Sequence, residues 1–508
     1  MIIEEDIELD KSWYKRSSRN TLSYDRPRIY LKYCGDNVIL DRKNRQFDLL
    51  TCLTMSLDRN VVVCDPSKSI ARILFPDNHR TATYRNIKIR ARDRDHTNIT
   101  TRRGNRWGSI LLIDHLSEIK DAEEETEGTI QGFADLGVPV KFITSPARMF
   151  EEILSSTYNL MSFPNLMSDS IGESVLTYAI NCFRGGRMEA FMCGKIDEGH
   201  DYDFNSAYFS VLKDIPSLHP FVIKWIESRE YIPEALFGFC KCYVTVPEDM
   251  TIGPVANRLK IGNRPPREYY IVGRSVAWRT KAEIDLLLSV GAKVVITTGY
   301  WGVPISEISY PFRKATNVIE NAVKNPSTRG WAKSIASMSW GKFASPGSLW
   351  NPIYSAYITS EIRCAITRMA LRDPDNIVAI TVDGLMSKRK LPGQEITSEI
   401  GGTKSKIVKG AISLSDYYRH DPVNPRQWNL TENGVVVNIK FRKVEGNNIL
   451  IPYGSSKRLS PVKNLTLSEI LKENIPMGVP TPEDAVSMYF TKKDFIPIKT
   501  FRGYHGSS

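Results

Sequence analysis

With 508 residues, 42% of them apolar and 25% charged, the chain has the composition of a folded protein of roughly two to four domains and not of a disordered or fibrous one. No stretch approaches the roughly 18 apolar residues that a membrane span needs. The acidic start MIIEEDIELDKSWYKR lacks the apolar core of a secretory signal, so a cytoplasmic protein without membrane contact is expected. A net charge of +11 favours a polyanionic partner without proving one.

In chain order, residues 1–180 read as mixed α/β, with strand-like RIYLKY, RNVVVC, SILLID and VKFIT. Segment 80–107 carries nine Lys/Arg residues. Within it Lys88, Arg90, Arg92 and Arg94 alternate, which on a strand projects them from one face. A solvated edge strand is the plain reading. A phosphate-tracking surface is slightly favoured, because Arg106 and Trp107 add a stacking-capable end. The acidic run DAEEETE (121–127) belongs to an exposed helix with no chemistry assigned. The glycine pair of FRGGR (183–187) breaks the pattern, and DYDFNSAYFSVL then reads as strand, turn and helix.

Segment 235–300 alternates like a run of strands. The eight cysteines form no C-x-x-C pair. Cys240 and Cys242 share one face of a strand and are expected in its core as reduced thiols, not as metal ligands. A helical signal covers about 311–340, with Asn325-Pro326 as cap and first-turn proline and Gly341 as its stop. Gly330 inside it costs on the order of 1 kcal/mol relative to alanine. A second helix (355–372) feeds the strand-like NIVAITVDGLMSK, and the end from about 436 is basic and loop-rich, with one helical stretch near 465–473.

Transfer of a nucleotidyl group asks little covalent work of side chains. It needs divalent metals held by carboxylates and cations facing the triphosphate. Asp203, at a strand end in YDFNSAY, and Asp383, inside the apolar IVAITVDGLM, are such carboxylates, since an aspartate in an apolar strand is costly unless paired or metal-bound. Between them, Arg329 and Lys333 are four apart on one helix face. Alone, each is an ordinary turn residue or a solvated stripe. The combination points to phosphoryl transfer.

These segments resemble family B DNA polymerases, and the protein-primed subfamily in particular. DFNSAY (203–208), KSIASMSWGKFA (333–344) and TVDG (381–384) are similar to its motifs A, B and C, in order. FRGG (183–186) is similar to the motif joining its exonuclease and polymerase modules, and NPIYSAYITSEIRCAITR to the helix before motif C. The resemblance covers about 180–420. It implies an α/β (α+β) right-hand polymerase with palm, fingers and thumb, preceded by a degenerate ribonuclease-H-like exonuclease domain. The division implied is 1–180 exonuclease-like and inactive, 181–310 palm with a first protein-primed-type insertion, 311–345 fingers, 346–435 palm with motif C, and 436–508 thumb.

By the same resemblance, Asp203, Asp383 and the carbonyl of Phe204 hold two Mg²⁺ ions, for which Mn²⁺ can substitute. Tyr208 packs under the incoming sugar, Arg329 and Lys333 meet the triphosphate, and Trp340 and Gly341 border the nascent base pair. Phe183, Arg184, Gly185 and Gly186 touch the template strand, with Lys409 and Tyr417 as further DNA contacts. The implied partners are template and primer DNA, deoxynucleoside triphosphates and a terminal priming protein, around a monomer replicating a viral, phage or plasmid genome in the host cytoplasm.

The departures are specific. Thr381 stands for the first aspartate of motif C and Gly384 for its serine, while Ser337-Met338 and Trp340 alter motif B. The second protein-primed insertion has only PGSLWNP (346–352) available, so reduced processivity and strand displacement are expected. Of the exonuclease motifs, NRQFD (44–48) matches the second and Asp6-Ile7-Glu8 the first in letters. The nearest third, Tyr158 to Ser162, lacks its carboxylate. A catalytically dead, nucleic-acid-binding scaffold is the alternative. An RNA-directed polymerase would place two adjacent aspartates in motif C, and a plain nucleic-acid-binding protein explains the charge but not the ordered motifs.

Overall fold

The computed structural model describes residues 2–4, 6–14, 27–67, 69–75, 81–91, 98–104, 106–113, 115–138, 140, 143, 145–157, 166, 170–259, 267–270 and 272–414, with further strand segments at 417–419, 429–432, 435–438, 440–443, 450–453 and 496–497. The helix expected at 465–473, most of VKFIT, the Tyr158–Ser162 segment, and Arg92 and Arg94 lie outside the described residues. The chain gathers into two units, each discontinuous in sequence. One holds Ser12–Asn159 and Phe312–Trp350, and the other Met1–Lys11, Leu160–Pro311 and Asn351–Ser508. The boundary expected at 180 therefore falls inside the second unit, and segment 311–345 groups with the amino-terminal residues.

The first unit is built on an eight-stranded sheet. Its strands are β1 (Arg28–Gly35), β2 (Val38–Asp41), β3 (Gln46–Phe47), β4 (Asn60–Cys64), β5 (Thr81–Tyr84), β6 (Ile87–Ala91), β7 (Asn98–Arg103) and β8 (Arg106–Ile113), in the order β3-β2-β1-β4-β8-β7-β6-β5. β1, β4 and β8 run parallel, and β5–β7 extend the sheet as an antiparallel ribbon. The central strand NVVVC is buried at every position, as expected where both faces are covered. Helices α1 (Leu49–Met55) and α2 (Ser69–Leu74) send Leu49, Leu53, Ile70 and Leu74 into one core with Val61, Val63 and Ile110. α3 (Ile119–Asp135) carries the acidic run. That run is not wholly solvated, because Glu127 takes Arg28 at 2.6 Å and the Tyr30 hydroxyl. α4 (Pro146–Thr157) follows.

The second unit opens with α5 (Ser170–Cys182), β9 (Arg187–Ala190), β10 (Met192–Phe204) and α6 (Ala207–Lys213). Strands β11 (Ile223–Glu227), β12 (Phe237–Val246), β13 (Gly273–Thr280) and β14 (Lys293–Pro304) form a sheet with the short strand Ile2–Ile3, in the order Ile2–Ile3, β13, β12, β14, β11. Cys240 and Cys242 on β12 are fully buried in its core, as the alternation predicts. α7 (Lys281–Ser289) starts from a reciprocal capping box between Thr280 and Glu283.

The chain then returns to the first unit for α8 (Arg313–Lys324) and α9 (Arg329–Met338). The helical run of the sequence is thus two helices. Asn325 is the C-cap of α8, and its side chain accepts from Ser327 in the link, while Thr328 is the N-cap of α9. Gly341 is not the stop either. α9 ends at Met338, and Gly341 begins a one-turn helix, Gly341–Ala344.

Back in the second unit, α10 (Pro352–Ala370) is capped by Asn351, which accepts from the Tyr354 N–H at 3.1 Å, with proline in its first turn. It is buried along nearly its whole length. β15 (Ile377–Val382), β16 (Gly384–Ser387) and β17 (Thr403–Leu414) join a sheet in the order β9-β15-β16-β10-β17, which continues through the strand segments at 417–419, 429–432 and 435–438. Tyr202, Ile377, Ile380 and Leu385 of that sheet pack on Ile366 and Met369 of α10. Among the described residues no helix is long and apolar enough to cross a membrane.

Candidate active site

β10 delivers Tyr202 to the core, where its hydroxyl accepts from the Leu391 N–H at 2.8 Å. The pleat turns the next residue, Asp203, to the other face. Asp203 pairs in register with Gly384 of β16 on one side and Lys404 of β17 on the other. Asp383 occupies the tip of the β15–β16 hairpin, beside it. The tip is strained: Val382 has φ 64°, a region that β-branched residues avoid. The Asp383 N–H reaches back across it to the Thr381 carbonyl at 2.9 Å. Such a γ-turn costs on the order of 1–3 kcal/mol. It is held by the Phe204 N–H, which donates to the Asp383 carbonyl at 2.9 Å.

Burial first, and then the charge of Asp203, push the Asp383 carboxyl up to about 6. Two carboxylates so placed call for a cation. In this structure the Lys404 ammonium supplies one, 2.7 Å from Asp203 Oδ2, and Lys406 lies 3.3 Å from Asp201. The donor set is hard oxygen, which suits Mg²⁺ or Mn²⁺ completed by substrate oxygens. Among the described residues no third His, Cys, Asp or Glu joins the pair. Gly384 keeps the space open: a Cβ there would stand 2.9 Å from the Tyr202 carbonyl oxygen and 3.3 Å from Asp203 Oδ1.

Motif A continues as a fixed turn. The Asn205 side chain donates to the carbonyls of Ser398 and Glu399 at 2.7 and 3.1 Å, and its N–H to that of Gly402 at 2.8 Å. Ser206, at φ 53°, starts α6. This brings Tyr208 into a buried position in the first turn. Burial, and then the charge of Asp383, raise its phenol above the usual tyrosine range. Tyr208 and Val382 close on Gly186, where a Cβ would meet Val382 Cγ1 at 2.7 Å and the Tyr208 hydroxyl at 2.8 Å. Phe204, Tyr208, Asp203, Asp383 and the FRGG segment are therefore gathered in one unit.

Arg184 departs from its expected role. It is 1% exposed, with its guanidinium 2.6 Å from Glu4, so it meets protein and not a template strand. The physical reason is a buried ion network that nails the FRGG backbone. Arg258 donates to the Phe183 carbonyl at 2.6 Å, Arg363 to those of Arg184 and Gly185 at 2.8 and 3.1 Å, and the Gly185 N–H to Glu268 at 3.2 Å. Arg363 also pairs with Glu283 at 2.8 Å. Burial alone would raise the Glu283 carboxyl, but Arg363, Arg279 and Arg184 hold it below its ordinary value.

The exonuclease letters are explained otherwise as well. Asp6 takes Lys241 and the Trp278 indole N–H, both at 2.9 Å, and belongs to the second unit. Asp48, in the first unit, caps α1 by accepting from the Thr51 N–H at 2.7 Å.

Arg329 and Lys333 are exposed together along α9, whose buried residues are Ala332, Ile335 and Ala336. They, Trp340 and Gly341 lie in the first unit, apart in the chain's division from the aspartates. Gly330 and Gly341 have no atom near the place of a Cβ, so neither is glycine for lack of room. The strand path carries Lys409 opposite Glu198 and Tyr417 opposite Leu414, and their side chains lie outside the described residues. Sequence reasoning missed Glu4, Arg363, Lys404 and Lys406. For the last two, the alternation in TKSKIVK was the available signal.

No family model matches the chain. A primer-independent DNA polymerase, PolB, of Escherichia coli is 26% identical over 245 residues, covering 42% of this chain and 28% of that protein. The chain thus spans little more than a quarter of the relative it matches. Among solved structures, Phi29 DNA polymerase in an orthorhombic crystal form aligns at TM-score 0.50 and 12% identity, over 86% of this chain and 90% of that one. The fold is that of Phi29 DNA polymerase. The likeness read from the motifs is met by a likeness of fold, although 12% identity speaks for the Phi29 fold alone and not for its activity.

Proposed function

We propose that the chain is a template-directed DNA polymerase that adds deoxynucleotides to a 3′ hydroxyl by two-metal phosphoryl transfer. One observation carries this reading: Asp203 and Asp383 are brought together at the end of β10 and a strained hairpin, with Asp383 held at about 6. Mg²⁺, or Mn²⁺ in its place, would be held by these two carboxylates and the Phe204 carbonyl, and when bound supplies charge neutralisation at the attacking and leaving oxygens. The chain's own work is positioning. The Asn205 turn and the Phe204–Asp383 bond fix the carboxylates, and buried Tyr208 forms the floor under the sugar. Arg329 and Lys333 present two cations to the triphosphate. The bond made joins the 3′ oxygen to the α-phosphorus, and the bond broken releases pyrophosphate.

In this reading the second unit supplies the palm, α8 and α9 the fingers, the region beyond 436 the thumb, and residues 12–159 a domain that has lost exonuclease action. The protein acts as a monomer on template and primer DNA in a host cytoplasm, replicating a viral, phage or plasmid genome. A terminal protein is the primer implied by the resemblance. The name of the PolB relative favours a second mode, initiation with no primer at all.

Primer extension tests the whole reading. Wild type extends a DNA primer, while Asp203→Ala and Asp383→Ala do not. Incorporation unaffected by Asp383→Ala refutes the site, and an inert wild type favours the scaffold alternative. A no-primer arm separates the two modes of initiation. Only 345–351 link the Gly341–Ala344 turn to α10, which leaves no room for a second insertion, so products on a singly primed circle should be short. Long products without helper proteins would sink that expectation.

A further inference from the structure

The basic stretch of the amino-terminal unit is not used by the polymerase site. On β6 Ile87, Ile89 and Ala91 are buried and Lys88 and Arg90 exposed, so the alternation resolves into one apolar and one cationic face. Register then assembles two rows across the ribbon. Thr83, Lys88, Arg102 and Trp107 are successive cross-strand partners, as are Thr81, Arg90, Thr100 and Ser109. Adjacent strands lie about 4.8 Å apart, and Lys88 and Arg90 about 7 Å apart along β6. Lys88 thus stands directly opposite Arg102, a like-charge pairing that destabilises a sheet unless an anion lies across it. The Arg102 guanidinium stacks over the Trp107 ring at 4.7 Å. All of these residues but Ser109 line an open concavity of about 660 Å³, and no carboxylate is among the described residues lining it.

We infer that this face of β5–β8 binds single-stranded nucleic acid, with Lys88, Arg90 and Arg102 on phosphates and a base stacked on the Arg102–Trp107 pair. Charge complementarity selects a polyanion. The aromatic platform selects a strand whose bases are unpaired, because a duplex keeps its base faces covered. The face lies in a different unit from the two aspartates. The inference does not rest on the polymerase reading and stands or falls whether or not the chain extends a primer.

The test uses the full chain and a twelve-nucleotide oligo-dT carrying 5-iodouracil, without metal or nucleotide. Irradiation should cross-link it to the peptide containing Trp107, and Trp107→Ala should abolish that cross-link. By fluorescence anisotropy, K88E/R90E should weaken binding about tenfold and flatten the salt dependence by roughly 0.7 per lost phosphate contact. K88Q/R90Q, without charge reversal, should show the smaller loss in the same direction, with thermal unfolding unchanged in both. Cross-links confined to peptides outside 81–113, or affinity and salt slope unmoved in both variants, overturn the inference. A duplex of the same length competing equally well overturns the assignment to single strands.

Discussion

Gly186 and Tyr208 approach so closely that one methyl group on the glycine would stand 2.8 Å from the tyrosine hydroxyl. The same methyl would meet Val382, the strained residue of the aspartate hairpin, at 2.7 Å. Three separate stretches of chain are thus fitted to one another at a point that has room only for hydrogen. Gly186→Ala is expected to cost about 1–3 kcal/mol by overpacking and to lower primer extension more than tenfold. Val382→Ala in the same chain should recover part of both, with a coupling of roughly 0.5–3 kcal/mol in urea unfolding. Strict additivity would mean that the close approach carries no energy.

Asp383 gives a dependence on pH. Its ordinary value is 3.8 and its value in the fold about 6, so the folded, metal-free protein holds this proton more tightly than the unfolded chain. The associated stability is complete below about pH 4 and is lost as pH rises through about 6. Asp383→Asn removes the titration. Above about pH 7 the variant should be more stable than metal-free wild type by on the order of 1–3 kcal/mol, yet fail to extend a primer. Mg²⁺ should raise the unfolding temperature of wild type and not of the variant. Midpoints that run parallel across this pH range contradict the burial of Asp383 beside Asp203.

Glu4 anchors the first residues of the chain to the FRGG segment. Its carboxylate accepts from Arg184 at 2.6 Å and from the Trp278 N–H at 3.0 Å, with Arg279 3.9 Å away. Glu4→Ala leaves buried guanidinium groups without their anion, and a loss of about 3–5 kcal/mol is expected. A loss under about 1 kcal/mol in denaturant unfolding would show that water or a neighbour replaces the carboxylate.

These residues mark where the sequence was legible. Asp203 and Asp383 could be read because a charge in an apolar strand is costly, and because two such strands flank a cationic helix. The cationic alternation at Lys88 and Arg90 was legible for the same reason of period. Arg184 reads as a DNA contact, because its letters do not say that Glu4, 180 positions away, neutralises it. Asp6-x-Glu8 matches a catalytic pattern of three letters, whereas the neighbours of Asp6, Lys241 and Trp278, stand 235 and 272 positions away. Asn325-Pro326 reads as a helix start, and the chain uses it to separate two helices. Each misreading concerns a long-range partner or a turn, and neither leaves a periodic trace in sequence.

The placement of α9 gives the last prediction, which rests on the polymerase reading. Within the first unit, Thr129 of α3 donates to the Ser327 carbonyl at 2.8 Å, just before α9 begins. A Cβ on Gly132 would stand 2.6 Å from Thr328 Cγ2 and 2.9 Å from Ser327 Oγ. Beyond its other end, in the one-turn helix Gly341–Ala344, Lys342 pairs with Glu151 of α4 at 2.6 Å, and Phe343 packs on Phe150 and Phe312. The residues flanking the helix that presents Arg329 and Lys333 are therefore held on both sides by the amino-terminal residues, which gives that part of the chain a task without any exonuclease chemistry. Gly132→Val should push the start of α9 outward and raise KM for the incoming nucleotide about tenfold, with kcat at saturating nucleotide changed far less. Thr129→Val, which removes only the hydrogen bond, should give a smaller rise of the same kind. Steady-state extension at varied nucleotide concentration, with thermal unfolding alongside, distinguishes this from general damage. A fall in kcat with KM unchanged would mean that α3 does not position the nucleotide-facing helix.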